Sequence, residues 1–129
     1  MRLVACPVAL HPDGAPRRLA IATHPQPALV HADIAPDARP ENTAAQALYA
    51  IGGLETRAAL LLGTSDDIVA GERWHFALCR TVPPVRAQWQ NAGPDGTLQR
   101  FGWLALDDTL PDGLTAPHDR AIDWIRAAL

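Results

Sequence analysis

The sequence has no lysine: its eleven basic residues are all arginine, set against fourteen acids for a formal net charge of -3. Holding a phosphate backbone requires a basic face, so this balance excludes nucleic acid as a main partner. The all-arginine usage, with abundant alanine, fits a GC-rich coding bias of bacterial type and carries no mechanism. Cysteine is also scarce. Cys6 and Cys79 sit in the apolar runs VACPV and FALC and read as buried free thiols, which excludes a disulfide framework and points to the cytoplasm. Long hydrophobic runs are missing as well. Nothing approaches the roughly 20 residues of a membrane span, and Pro7 interrupts the short N-terminal run MRLVACPVALH, with no cleavage-like site behind it. The five histidines are scattered without CxxC or HxxxH pairing, which argues against zinc. Neither a Ser/His/Asp motif nor a glycine-rich phosphate loop is present.

What remains is an ordinary globular composition, with 48% hydrophobic and 19% charged residues over 129 positions, enough for a single domain spanning 1–129. Dense turn signals divide it. HPDGAP (11–16) separates the runs RLVACPVAL and RRLAIAT and predicts a hairpin with Asp-Gly at its tip. HPQP ends the second run, and ALVHADI predicts a third strand leading into the Pro/Asp-rich loop APDARPENT. A helix is expected from Pro40 to about Gly52, because Ala44, Ala45, Leu48 and Ile51 recur at three- and four-residue spacing. Pro40 suits the first turn, Glu41 complements the dipole, and Gly53 is placed to stop the helix.

Beyond it, ETRAALLLGTSDDIVAGERWHFALCRTV predicts two long strands around a turn at Asp66 and Asp67, PPVRAQWQNAGPDG a loop, and TLQRFGWLALD a strand. The final TAPHDRAIDWIRAAL predicts a helix with Ala121, Ile122, Ile125 and Leu129 on one face and Thr115 or a neighbour as cap. The expected order is β-β-β-α-β-β-β-α. One feature is odd: the stretch QALYAIGGL (46–54) has the punctuation of a surface helix end and carries no charge.

This order and spacing resemble the Nudix hydrolases, whose signature reads Gly, five residues, Glu, seven residues, Arg-Glu-U-x-Glu-Glu-x-Gly-U, where U is a bulky aliphatic residue. Laid without a gap on VHADIAPDARPENTAAQALYAIGGL, the frame places Leu48 and Leu54 on the aliphatic positions and Gly53 on the last glycine. The segments RWHFALCR, AQWQNAGPDG, FGWLALDD and the terminal helix resemble the strand, loop, strand and helix that close many Nudix proteins. The resemblance implies an α/β/α sandwich built on a mixed sheet. Its charged positions are all replaced: the first glycine falls on Ala32, the first glutamate on Ala38, the arginine on Gln46, the next glutamate on Ala47, and the paired glutamates on Ala50 and Ile51.

In that family, the resemblance implies, glutamates on one helix face hold Mg²⁺ or Mn²⁺ for hydrolysis of a nucleoside diphosphate derivative. A hard dication requires oxygen ligands. Alanine offers none, and losing a general base alone costs about 10²- to 10⁴-fold. The leading expectation is therefore a pseudoenzyme, binding a small nucleotide-like ligand or a protein partner and needing no cofactor. A divergent Nudix-type hydrolase, using Mg²⁺ or Mn²⁺ on relocated acids, is the second reading, with Asp37, Glu41, Asp66 and Asp67 as the candidates. A structural or oligomerising domain, for example a homodimer, is the third. Among the aromatics, Trp89 lies in a polar stretch between Gln88 and Gln90 and is the candidate for a pocket or interface, while Phe101 and Trp103 share a strand face and read as core. His31 stands where many family members carry a lysine and is a candidate to face a ligand phosphate, with a plain surface histidine as the alternative.

Overall fold

The computed structural model describes residues 1–129. Its elements run β1 (Arg2–Leu10), β2 (Arg18–His24), β3 (Ala32–Asp33), α1 (Pro40–Ala50), β4 (Thr56–Ser65), β5 (Glu72–Thr81), β6 (Trp89–Ala92), β7 (Leu98–Ala105) and α2 (His118–Ala128). The strands form one seven-stranded sheet in the order β4-β5-β1-β2-β7-β6, with β3 paired to β1. β1 and β5 are parallel and the remaining pairs antiparallel, so the sheet is mixed. The α/β class with a mixed sheet between two helices matches the sequence expectation. One element differs. The segment read as a loop contains β6, so the observed order is β-β-β-α-β-β-β-β-α.

β6 escapes the pattern because it has four residues, WQNA, of which two are amides. Its stability comes from pairing with β7, from Trp89 opposite Phe101 to Ala92 opposite Leu98. The third run shrinks to a two-residue strand for the opposite reason: apart from the single bridge of Ala28 to Ala22, its residues pack as loop. The α2 cap also differs. Pro117 is the N-cap residue with no side-chain bond, and Thr115 contributes its backbone carbonyl, accepting from the His118 N–H.

Side-chain alternation divides the core between the two sheet faces. On β1 and β5, Val4, Cys6, Val8, Trp74 and Phe76 meet Ala121, Ile122 and Ile125 of α2. Ala5, Ala9, Ala77 and Cys79 point the other way and meet Ala44 and Leu48 of α1. Trp124 of α2 stacks on Phe76 with centroids 4.1 Å apart and also lies over β4, where a Cβ on Gly63 would stand 2.9 Å from its ring. The sheet residues that face α1 are small, among them Ala5, Ala9 and Ala77. Burial raises the pKa of both thiols, Cys79 to about 11.

Candidate functional site

α1 starts at Pro40, where the missing N–H costs nothing, and Glu41 lies in the first turn, paired with Arg39 at 3.2 Å. Ala44 and Leu48 anchor its inner face. Ala47 and Ile51, one turn apart, extend that face towards Ala22, Val30 and Phe101. Ala47 is 6% exposed, a more complete burial than the helical spacing had given it. The last turn has no basic side chain to meet its carbonyls. β6 supplies the donors instead: Trp89 Nε1–H donates to Gly52 O at 2.7 Å, and Asn91 Nδ2 donates to Ala50 O at 3.1 Å and Ile51 O at 2.9 Å. Gly53 follows at φ 70°, a left-handed position suited to glycine, and a Cβ there would press on Asn91 at 3.1 Å.

Beside the α1 end lies a cleft of about 190 Å³. Ile51, Phe101, Ala22 and Val30 give it apolar walls, and His31, His118 and Gln99 supply polar edges. The rings of His31 and His118 are 5.6 Å apart, and His31 also packs on Trp74 at 5.1 Å. Leu29 N–H donates to His118 Nδ1 at 3.1 Å, which leaves Nε2 as the protonated nitrogen of a neutral ring. Burial is the main force lowering both pKa values; Arg2 adds to it at His31, and His31 adds to it at His118. Across Phe101, a second pocket of about 240 Å³ is lined by Trp89, Thr23, His24, Arg100 and two glutamines. Trp89 stacks on Phe101 at 5.7 Å and tilts against Trp103 at 5.4 Å.

No protein-family model matches the sequence, and no curated protein does either. Solved structures do. An ADP-ribose pyrophosphatase from Streptococcus suis superposes with a TM-score of 0.70 at 15% identity, over 98% of this chain and 89% of that one. A MutT Nudix hydrolase from Burkholderia pseudomallei gives 0.61 at 20% identity, over 95% of each chain. A MutT from work on Aliivibrio salmonicida and Vibrio cholerae gives 0.65 at 13% identity, over 99% of this chain and 98% of that one. The chain has the Nudix fold.

The six positions that the resemblance sets against the Nudix signature go to different surroundings. Ala38, Gln46 and Ala50 are exposed, Ala47 is buried, and Ala32 and Ile51 pack against the Ala22–Phe101 cluster. The residues at the α1 end do not fit a divalent cation. No carboxylate lines the cleft, and nowhere in the chain do three or more His, Cys, Asp or Glu side chains gather closely enough to hold a metal.

The four acids named from the sequence are not brought into one site. Asp37 lies exposed in the turn before α1, while Glu41 is partly buried in its first turn. Asp66 forms a two-point pair with Arg73 at 2.8 and 3.1 Å, which lowers its pKa, and Asp67 lies beside it with its N–H on Ser65 Oγ. Glu41 and Asp66 both act on His75, where burial and Arg73 outweigh them and lower the pKa. Of the two ligand candidates, His31 reaches the cleft and Trp89 the neighbouring pocket. Sequence reasoning missed His118, Gln99 and Asn91. His118 lies 89 residues from the backbone N–H it accepts, and no local pattern signals such a pairing.

Proposed function

We propose that this Nudix-fold protein is a binding protein, not a diphosphate hydrolase, and that it takes a small planar group of a nucleotide-like ligand into the cleft beside Ile51. One observation carries this reading: at the helix end, Ile51 packs with Ala47 against Ala22, Val30 and Phe101, beside a cleft that stays open yet has no carboxylate on its wall. An open apolar cleft with a few polar edges favours ligand capture over metal-assisted chemistry. A filled cleft would have favoured a purely structural role. The neighbouring structures, an ADP-ribose pyrophosphatase among them, make ADP-ribose the natural first probe.

The test is calorimetric titration of the purified protein with Mg²⁺ and Mn²⁺, then with ADP-ribose, with hydrolysis products assayed in the same samples. Binding of ADP-ribose without metal-dependent turnover is the expected result, and His31→Ala should weaken it. Metal-dependent product formation that disappears in Asp37→Ala or Glu41→Ala would instead establish a hydrolase with relocated acids. Absence of both binding and turnover would leave the scaffold to a protein partner or a second copy.

A further inference from the structure

A different corner of the molecule carries an unassigned pocket. β1 and β5 run parallel, from Arg2 opposite Glu72 to Leu10 opposite Arg80, so their C-terminal ends lie side by side. β4 starts at the same corner. Its ladder passes from Thr56 opposite Thr81 to Ala58 opposite Arg80, with Arg57 inserted between them. In such a bulge two consecutive residues face one partner residue, so Arg57 and Ala58 together oppose Arg80. Two arginines thus share one corner of the sheet, and both are exposed. The chain's arginine ion pairs use Arg2, Arg18, Arg39 and Arg73, and neither of these two.

Between them lies a pocket of about 390 Å³. Leu10, Leu78 and Pro83 give it an apolar wall, and His11 adds an imidazole. Thr81, also on the wall, is 7% exposed, and its hydroxyl has no hydrogen-bond partner. No carboxylate lines the pocket. Asp13 is engaged with Arg18 and His11, and Glu55 lines a neighbouring hollow. Like charges on facing strands disfavour the ladder, and an anion seated between Arg57 and Arg80 would offset that cost. The chain as a whole is acidic, which makes the local reversal of sign more telling.

We propose that this pocket binds an oxyanion, a phosphoryl or carboxylate group on a small apolar body, with Arg57 and Arg80 as the clamp. Guanidinium forks pair with such groups through two parallel hydrogen bonds, and the Leu10–Leu78 wall receives the apolar part. The volume is in the range of small-molecule sites. The site is separate from the cleft beside Ile51.

Phenyl phosphate and benzoate serve as probes, titrated calorimetrically and in thermal melts against sodium chloride at matched ionic strength. At least one probe should raise the melting temperature beyond the chloride control, and the stronger of the two identifies the head group. Arg57→Gln and Arg80→Gln should each weaken binding about tenfold or more. Without probe and at low salt, both variants should melt no lower than the parent, because each leaves one cation fewer at this corner of the sheet. If Arg57→Gln disturbs the bulge and unfolds, Arg80→Gln alone decides. Shifts equal to those of chloride for both probes, or unchanged binding in Arg80→Gln, would overturn the proposal.

Discussion

A backbone N–H aimed at an imidazole nitrogen fixes the charge of that ring. Leu29 N–H occupies His118 Nδ1, so protonating His118 would set two donors against each other. Burial acts in the same direction, holding His31, His75 and His118 below the ordinary value of 6.5. Below that value the unfolded chain binds more protons than the folded one, so stability falls as pH drops. Their full contribution is present above about pH 6.5 and is lost as pH falls towards their folded pKa values. Asp66, held down by Arg73, keeps its contribution above its ordinary 3.8 and loses it only in stronger acid. The melting temperature should therefore begin to fall between pH 7 and 5. His118→Asn keeps an acceptor for Leu29 but cannot titrate, and melts across this range should show a shallower fall. An unchanged slope would refute the assignment. The Nudix frame could be laid on the sequence because it runs without a gap from residue 32 to residue 54, whereas the Leu29–His118 bond depends on packing between distant segments.

At the scale of elements, α1 and β6 depend on each other. The helix ends without basic residues in its last turn, and Trp89 and Asn91 meet the free carbonyls of Ala50, Ile51 and Gly52. Trp89→Phe keeps the stack on Phe101 while removing the indole donor, and should cost about 1 kcal/mol in urea unfolding. Asn91→Ala removes the donor shared by two carbonyls, should cost at least as much, and should speed amide exchange in the last turn of α1. Equal exchange in parent and variant would mean that the helix end is held by its packing alone. This dependence explains what could be read beforehand. The helices and the long strands announce themselves by periodicity, because each buries a face of its own. β6 has only Trp89 to bury, and its existence follows from the register with β7 and from the helix end it serves. The aromatic in a polar stretch was a visible signal, and its role as a tie to α1 was not.

For the molecule as a whole, the sheet order leaves β4 and β6 as edges. β4 carries no charge from Ala58 to Ser65, and Leu60 and Leu61 are 69% and 48% exposed. Proteins usually guard such an edge with charge or with bulges. Here the ladder to β5 is broken around Arg57 and Leu62, so bulges interrupt the strand, and charge is confined to its start. Net repulsion between molecules must then do the rest, and it vanishes near the isoelectric point of about 5.9. Histidine protonation lowers stability in the same interval, so open forms become more frequent where repulsion is weakest. Light scattering on warming should therefore peak near pH 6 and be low at pH 8. Leu60→Lys and Asn42→Lys change the net charge equally, but only the first places it on the β4 edge. Both should move the peak to higher pH, and Leu60→Lys alone should reduce its height. Equal reduction by both variants would show that net charge, and not the bare edge, controls association.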